Sequence, residues 1–530
     1  MTQKISYNPD ILTCLASLSN DEVFTPIKVV NEMLDMLPRE LWSNKDAKFL
    51  DPACKTGVFL REIARRLNVG LEKKIPNRQK RIDHIFKNQL YGIAITELTS
   101  LLSRRSVYCS KNAIGKYSVC SDFKGVDGNI KLYKSEHTWE SGRCVYCGAS
   151  QKVYDRGDAL ESYAYQFIHT KKPEEIFKMK FDVIVGNPPY QLSDGSGGSS
   201  DSAIPIYNKF IEQAILLNPR YLVMITPSKW MFGGRGLKKF REKMIIDKRI
   251  KIIYDFEKAS DCFPGLHLDG GVSYFLWDKD YRGATEYNFK SNDGSITKYS
   301  RFLKNNFFDY VLRDNRALSI IEKVSNGKRF SEIVSLTRPY GIRNYLFNDP
   351  QRYPESNLQL EPFKNSLKVY GVKGIKGGAR RIVGYVSEQT PTNNLASINK
   401  HKIYFTTSYS TNAIDPPEVI MGEPGSICTE TFLLIGPFSN EMEQINCKTF
   451  IETNFFKVLL YFGKGTMHVT KSVFGLIPIQ DFSKSWTDEE LYKKYNLTKE
   501  EIDFIESMIR PMDSNSNGDN AGEENGSEDD

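Results

Sequence analysis

The chain has 530 residues, of which 40% are hydrophobic and 26% charged, a composition that fits a globular protein with two or three cores. No apolar run approaches the roughly eighteen residues of a membrane span, and there is no signal-peptide pattern, so neither membrane insertion nor secretion is expected. The nine scattered cysteines indicate reduced thiols and predict a cytoplasmic location. The net charge is +7, but the tail from Asp513 holds seven acids and no Lys or Arg, so the remaining residues carry +14. This excess of positive charge favours binding to the phosphate backbone of a nucleic acid.

The first predicted elements surround a turn of small residues. Thr25-Pro26 precedes an amphipathic helix over 27–37, because proline is favoured at the start of a helix. The apolar strand that ends at Asp51 then leads through small residues to Gly57 and a helix over 58–67. Such a turn brings backbone N–H groups and a helix N-terminus against a bound cofactor, and glycine permits the close approach.

An insertion over 104–156 follows a predicted strand over 90–95 and interrupts the succession of strands and helices predicted for this part of the chain. Its Cys144-Val145-Tyr146-Cys147-Gly148 segment has the spacing of a metal knuckle. A small segment with few large aliphatic residues would gain stability from one structural zinc ion, although a cysteine-containing loop without metal is the alternative. The favoured zinc ligands are Cys109, His137, Cys144 and Cys147, with Cys120 as a further available thiol.

The segment Asn187-Pro188-Pro189-Tyr190 follows the apolar run 181–186, which reads as a buried parallel strand. It therefore lies beyond a carboxyl end of the sheet, where open α/β folds keep their active sites. The Asn187 side chain and the Pro188 carbonyl can accept both N–H bonds of a conjugated amino group, which makes that nitrogen a better nucleophile, and Tyr190 offers a flat face for a base. This segment predicts methylation of such an amino group.

Three later apolar runs, over 221–226, 251–256 and 272–277, read as further core strands. Their alternation with helical patterns predicts an α/β fold with a doubly wound, mostly parallel sheet. This catalytic domain is expected to span residues 1–285.

Residues 286–483 are expected to form a second domain, of α+β class, because they mix short apolar runs with glycine, aromatic and basic residues. Arginine and lysine side chains beside glycines can contact phosphates and guanine edges. The candidate DNA-binding residues are Arg338, Arg343, Lys373, Lys376, Arg380, Arg381 and Lys464. Two capping boxes, at Thr487 and Thr498, predict a helical segment over 484–512, and the composition of 513–530 predicts a disordered acidic tail.

In combination, the Thr-Pro segment, the Asp51-Pro52-Ala53-Cys54-x-x-Gly57-x-Phe59-Leu60 loop and Asn187 to Tyr190 resemble the γ-class N6-adenine DNA methyltransferases of restriction–modification systems. The resemblance covers roughly residues 20–510 and implies a methyltransferase sheet followed by a target-recognition domain. It also implies S-adenosylmethionine as methyl donor, a flipped adenine in double-stranded DNA as substrate, and a bacterial, nucleoid-associated enzyme. A restriction endonuclease would be a separate partner chain.

The resemblance assigns roles to further residues. It places Thr25, Pro26, Asp51, Ala53 and Gly57 around the cofactor, and Phe263 against the flipped base opposite Tyr190. Where the family has an acid for the cofactor ribose this chain has Ala94, so Glu97 is the replacement candidate. For the adenine end of the cofactor, Asp158 is favoured over Asp122. Lys55 stands where the family usually has glycine.

Two other functions fit parts of this pattern. Protein-glutamine and RNA methyltransferases also use Asn-Pro-Pro-Tyr, but they are usually shorter and lack a long basic C-terminal domain. A DNA-binding subunit with a decayed pocket is conceivable because of Lys55 and Ala94, whereas the intact Asn187 to Tyr190 segment argues for an enzyme.

Overall fold

The structure is a computed structural model that describes residues 23–133, 135–155, 164–192, 204–292, 294–305, 309–375, 378–410, 413–464 and 467–509. The chain divides into two compact units, Met1–Asn315 and Arg316–Asp530. None of the helices in the described ranges has both the length and the apolar character that a membrane crossing requires.

The strands of the first unit, in chain order, are β1 (Phe49–Asp51), β2 (Leu90–Ala94), β3 (Ile130–Leu132), β4 (Trp139–Glu140), β5 (Arg143–Cys144), β6 (Val183–Gly186), β7 (Gln191–Leu192), β8 (Ile204–Pro205), β9 (Tyr221–Pro227), β10 (Ile250–Phe256), β11 (Val272–Asp278), β12 (Thr285–Lys290) and β13 (Ile296–Arg301). Its helices are α1 (Ile27–Asp35), α2 (Val58–Gly70), α3 (Arg78–His84), α4 (Glu97–Tyr108), α5 (Gln151–Tyr154), α6 (Glu174–Phe177), α7 (Tyr207–Leu216) and α8 (Lys238–Ile246).

Nine of these strands form one sheet in the order β13-β12-β10-β11-β9-β6-β1-β2-β3. The run from β3 to β9 is parallel throughout, and β10 pairs with β12 in parallel as well. Strand β11 lies antiparallel between β9 and β10, and β13 is antiparallel to β12. The predicted α/β class with a mostly parallel sheet is confirmed.

Helices cover both faces of this sheet. Alternate residues of a strand point to opposite faces, so Leu50 and Ile184 belong to one buried cluster and Phe49 and Val183 to another. Residues of α7 and α8 complete the first cluster, and residues of α1, α2 and α4 complete the second. Burial on both faces explains why these strands read as continuous apolar runs.

The six predicted core strands are present within one or two residues of their expected limits, but the sheet is larger than expected. Strands β12 and β13 follow the run that was predicted to be the last, and the first unit continues to Asn315, beyond the expected boundary at 285. Strand β3 lies inside the 104–156 insertion and pairs with β2, so the insertion extends the sheet edge as well as interrupting it.

The second unit contains both strands and helices. Its strands are β14 (Ser366–Ile375), β15 (Gly378–Ser387), β16 (His401–Thr406), β17 (Ile420–Gly422), β18 (Ser426–Cys428) and β19 (Phe432–Phe438), and its helices are α9 (Arg316–Val324), α10 (Tyr345–Asn348), α11 (Glu441–Ile451), α12 (Asn454–Gly463), α13 (Asp488–Lys494) and α14 (Lys499–Ile509). The strands form two three-stranded sheets, β15-β14-β18 and β17-β16-β19.

The two capping boxes that the sequence predicts are present before α13 and α14. The Thr487 hydroxyl accepts from the Glu490 N–H while the Glu490 carboxylate accepts from the Thr487 N–H, at 3.3 and 3.2 Å. Thr498 and Glu501 make the same reciprocal pair at 3.3 and 2.7 Å. Each box satisfies N–H groups that have no partner within the helix. The acidic tail lies outside the described residues.

Candidate active site

Two loops meet at the carboxyl edge of the sheet because β1 and β6 are parallel neighbours. Leu50 pairs with Ile184, so Asp51 and Asn187 leave adjacent strands at the same edge. Gly186 makes the approach possible, since a Cβ atom there would lie 2.8 Å from Asp51 Oδ1. The sequence separates these loops widely, and the sheet register brings them together.

Asn187 is buried and its amide orientation is fixed. Its Nδ2 donates to the Val23 carbonyl at 2.9 Å and to Thr25 Oγ1 at 3.1 Å. Because a carbonyl can only accept, the nitrogen must face Val23, which leaves Oδ1 as the free end of the amide. Oδ1 is buried and has no hydrogen-bond partner among the residues that the structure describes. A buried acceptor of this kind is suited to an N–H donor supplied by a ligand.

Pro188, Pro189 and Tyr190 follow Asn187 and are buried with it. Burial raises the pKa of the Tyr190 hydroxyl above its usual range, so the ring stays neutral. Phe263, the predicted second stacking face, is buried in the core cluster with Cys262 and Val272. Its pairing with a base therefore stays a prediction.

The turn after β1 is shaped around the Asp51 carboxylate. Asp51 is 2% exposed, and its Oδ1 accepts from the Ala53 N–H at 3.1 Å. Burial raises the pKa of Asp51 to about 7, opposed by that hydrogen bond and by the positive charge of Lys55. Gly57 directly precedes α2 and has φ +71°; a Cβ atom there would lie 2.9 Å from Val107 Cγ2 and 3.0 Å from the Ser103 carbonyl. Glycine is needed there for its left-handed backbone and for space.

Lys55 is a site residue that the sequence flagged only as a departure from a family pattern. It is 5% exposed, and its Nζ donates to the Val23 carbonyl at 3.1 Å, the same oxygen that accepts from Asn187. The ammonium also lies 6.0 Å from the centre of the Tyr190 ring. A narrow cavity is lined by Thr25, Asp51, Ala53, Lys55, Gly57 and Asn187, among others. It holds one buried cation and one buried carboxyl group.

The other candidate cofactor residues differ in position and in exposure. Pro26 caps the start of α1, directly after the buried Thr25. Glu97 is the first residue of α4, exposed, and follows β2 at its carboxyl end. Asp122 is exposed and forms an ion pair with Lys87 at 2.5 Å. Asp158 lies outside the described residues.

The predicted DNA-binding side chains separate into exposed and buried groups. Lys373 and Arg380 face each other across the hairpin of β14 and β15, and both are exposed, as is Arg381. Arg343 is exposed near α10, while Arg338 pairs with Glu430 at 2.9 Å. Lys376 lies outside the described residues.

The prediction for Lys464 is wrong. Its side chain is buried over the Tyr409 ring, at 3.5 Å from the ring centre, and its Nζ donates to the carbonyls of Ser410 and Ala413 at 2.7 and 2.9 Å. Burial lowers its pKa to about 8. An ammonium that already binds two backbone carbonyls inside the unit cannot contact a phosphate.

The predicted metal-ligand set needs one correction. The ligand atoms of His137, Cys144, Cys147 and His169 all lie within 4.8 Å of one another. Cys109 is not in this cluster, because it ends α4 as an exposed residue with φ +61°. Cys120 is buried elsewhere, beside Asp83. His169, which lies beyond the insertion, takes the fourth position.

The nine-stranded sheet, with its Asn-Pro-Pro-Tyr segment and its glycine-containing turn at adjacent carboxyl ends, has the architecture of an α/β methyltransferase. The Eco57I restriction-modification methylase family model matches residues 88–263. An uncharacterized adenine-specific methylase of Mycoplasma pneumoniae is 38% identical over 341 residues, which are 59% of this chain and 81% of that protein. The chain therefore belongs to the adenine-specific methylases of restriction–modification type.

Two longer enzymes are also similar. The restriction enzyme and methyltransferase RM.Eco57I of Escherichia coli is 22% identical over 311 residues, which are 50% of this chain but only 30% of that enzyme. The solved structure of the Type IIL restriction-modification enzyme MmeI in complex with DNA is 10% identical, with a TM-score of 0.44 over 88% of this chain and 66% of that chain.

Proposed function

We propose that this adenine-specific methylase transfers a methyl group from S-adenosylmethionine to N6 of an adenine that is flipped out of double-stranded DNA, within a restriction–modification system. One observation carries the proposal: within the described ranges the buried Asn187 Oδ1 has no hydrogen-bond partner, while its Nδ2 is held by Val23 and Thr25. An adenine N6 amino group is a donor that fits this acceptor. Extrusion of the base is required because N6 cannot reach a buried site from within the duplex.

The residues of the Asn187 segment would activate the amino group. Asn187 Oδ1 and the Pro188 carbonyl would accept its two N–H bonds and draw the nitrogen lone pair out of conjugation with the ring. Both acceptors interact more strongly as positive charge develops on the nitrogen, which lowers the barrier more than it strengthens ground-state binding. Tyr190, and Phe263 on the opposite side, would hold the base by stacking.

The residues around the narrow cavity beside Asn187 would hold the methionine end of the cofactor, which supplies the electrophilic methyl group when bound; the cavity would have to widen to admit it. That end carries an ammonium and a carboxylate, and the cavity offers Asp51 and Lys55 as partners of opposite charge. Thr25, Ala53 and Gly57, which line the cavity, would surround this end of the cofactor together with Pro26, which follows Thr25 in the chain. Glu97 for the ribose and Asp158 for the adenine complete the proposed set.

The second unit would select the DNA sequence. The hairpin of β14 and β15 projects exposed Lys373, Arg380 and Arg381, and a two-stranded ribbon has the width to enter the major groove. Arg338 and Arg343 would add contacts, as would Lys376, which follows Ile375 in the sequence and lies outside the described residues. A separate restriction endonuclease chain is the proposed partner for cleavage. Zinc, the second predicted cofactor, has no step here, because methyl transfer from a sulfonium needs no Lewis acid.

The test compares wild type with Asn187→Ala. Purified protein, methyl-labelled cofactor and mixed-sequence double-stranded DNA should give label in the DNA, at the N6 position of adenines that share one sequence context. Asn187→Ala should bind the cofactor as wild type does, measured by calorimetry, but turn over about 100-fold more slowly.

Asn88→Ala, which changes an exposed amide far from β6 in sequence, serves as the control and should keep full turnover. Label that appears only in protein or RNA would contradict the choice of DNA as substrate. Equal turnover of Asn187→Ala and wild type would remove the proposed mechanism.

A further inference from the structure

We propose that His137, Cys144, Cys147 and His169 bind one zinc ion in a closed tetrahedral site that anchors the insertion to the catalytic sheet. The four ligand atoms lie within 4.8 Å of one another, and the two thiols are only 3% and 2% exposed. Two thiolates and two imidazoles are a preferred ligand set for structural zinc. The site takes no part in the proposed methyl transfer.

Two distances within the cluster match those between the ligand atoms of a coordination shell. With Zn–S about 2.3 Å and Zn–N about 2.0–2.1 Å, neighbouring ligand atoms of a tetrahedron lie about 3.3–3.8 Å apart. Cys147 Sγ lies 3.5 Å from His137 Nδ1, and His169 Nε2 lies 3.3 Å from the same nitrogen. Little rearrangement would be needed to place an ion between them.

The orientation of His169 also fits a ligand. Its Nδ1 lies 2.7 Å from the Tyr165 carbonyl, which can only accept, so Nδ1 carries the proton. The lone pair of the neutral ring is then on Nε2, the nitrogen that faces His137. A carbonyl that fixes the tautomer of a histidine in this way is a common feature of zinc sites.

The local backbone forms the knuckle that presents both thiols. The Gly148 N–H donates to the Cys144 carbonyl at 2.9 Å, and the Cys144 N–H donates to the Ala149 carbonyl at 3.0 Å. Gly148 has φ +81°, a conformation that favours glycine, so the chain can turn sharply after Cys147. The β4–β5 hairpin leads into this turn.

His169 is the one proposed ligand that lies outside the insertion. It directly follows the short 3-10 helix Gln166–Ile168 and precedes β6, whereas the other three ligands belong to the insertion. Cys144, Cys147, Phe167 and Ile168 share one buried cluster with Ile184 of β6. A zinc ion would therefore link the insertion, through its coordination bonds, to the segment that leads to β6.

The test begins with the full-length protein, purified without chelator and without a metal-affinity column. Elemental analysis should find about one zinc per chain. After replacement by cobalt, visible absorption should show the intense d–d bands of a tetrahedral site and thiolate-to-cobalt charge transfer. Removal of the metal by a chelator should lower Tm, and added zinc should restore it.

Three variants separate this ligand set from the one that the sequence favours. His169→Ala and Cys144→Ser should weaken zinc retention against a chromophoric chelator by at least tenfold, whereas Cys109→Ser should retain zinc as wild type does. If a ligand variant fails to fold, the cobalt spectrum and the chelator effect on wild type still decide.

Wild-type protein that is metal-free and gains no Tm from zinc or cobalt would overturn the proposal. A Cys144–Cys147 disulfide in protein kept under reducing conditions would also overturn it, as would zinc loss in Cys109→Ser together with retention in His169→Ala. A zinc-loaded protein without methyl transfer would contradict only the proposed function.

Discussion

At the scale of single residues, the candidate active site depends on buried charges and on one unpartnered acceptor. Asp51 and Lys55 line the same cavity, and each is almost fully buried. A ligand that carries both an ammonium and a carboxylate would place a charge of opposite sign beside each of them. This gives each residue a measurable role that is distinct from that of Asn187.

Asp51 should make the stability of the cofactor-free protein depend on pH. Burial raises its pKa from 3.8 to about 7, so the folded state binds the proton more tightly than the unfolded chain does. The resulting stabilisation is complete below about pH 4 and is lost as the pH rises through about 7. Asp51→Asn cannot ionise. As the pH rises from about 4 to above about 7, the unfolding free energy of wild type should therefore fall by roughly 4 kcal/mol relative to that of Asp51→Asn.

Chemical denaturation of both proteins at pH 5, 6, 7 and 8 measures this difference while the other titrating groups cancel. Cofactor affinity should change in the opposite sense, rising with pH in wild type and staying flat in Asp51→Asn. A stability difference that does not vary with pH would show that Asp51 keeps an ordinary pKa.

Lys55 should recognise the carboxylate of the cofactor. Wild type should bind S-adenosylmethionine about ten- to a hundredfold more tightly than the decarboxylated analogue, because a charge-assisted hydrogen bond contributes roughly 1.5–3 kcal/mol. Lys55→Met should bring the two affinities close together, as measured by calorimetry. Lys45→Met, which removes an exposed lysine outside the cavity, should leave the ratio unchanged. Equal loss of affinity for both ligands in Lys55→Met would assign Lys55 a purely structural role.

At the scale of elements, the hairpin of β14 and β15 changes character along its length. Leu367 and Val369 near its base are buried in the core of the second unit, whereas Lys373 and Arg380 near the turn are exposed. Arg381, opposite Val372, lies on the other face of the ribbon, and its guanidinium donates to the Glu418 carbonyl at 2.5 Å. The hairpin is thus anchored in the core at one end and carries positively charged side chains on both faces near its exposed turn, which suits contact with DNA.

Replacing Arg380 and Arg381 together by Ala should weaken DNA binding and flatten its dependence on salt. Each lost phosphate contact should reduce the log–log slope by about one unit. The matched control removes two exposed lysines from the C-terminal helices, Lys493→Ala with Lys499→Ala, so that both proteins lose the same charge. Fluorescence anisotropy over a salt series measures both quantities.

Unchanged affinity and slope in the hairpin variant would move the DNA contact to another surface. An equal effect in the control would show that net charge, and not the hairpin, governs binding. Relaxed methylation at a single base position, with the slope reduced less than expected, would indicate that one of the two arginines reads a base edge.

At the scale of the whole molecule, the chain combines a catalytic sheet with a second, mixed unit, and it has an uneven distribution of charge. The residues before Asp513 carry a formal +14, which favours association with a polyanion independently of sequence. In an adenine-specific methylase this charge would serve binding to DNA. Non-specific attraction would let the protein search DNA before the proposed recognition unit selects a site.

The amino-acid sequence by itself determined the class of the sheet, the six core strands, the helix caps and the loops that carry Asp51 and Asn187. These features depend on local patterns, namely apolar runs, glycine and proline positions, and capping residues, which act over a few neighbouring residues.

Only the tertiary structure decided which distant groups meet. The Val23 carbonyl lies 164 residues from Asn187 in sequence and fixes its amide. His169 lies 32 residues from His137 and takes the place expected for Cys109 in the cluster of histidines and cysteines. The burial of Lys464, which a basic segment gave no reason to expect, is likewise a result of packing. Such contacts follow from sheet register and from the packing of side chains across the fold, which no local pattern encodes.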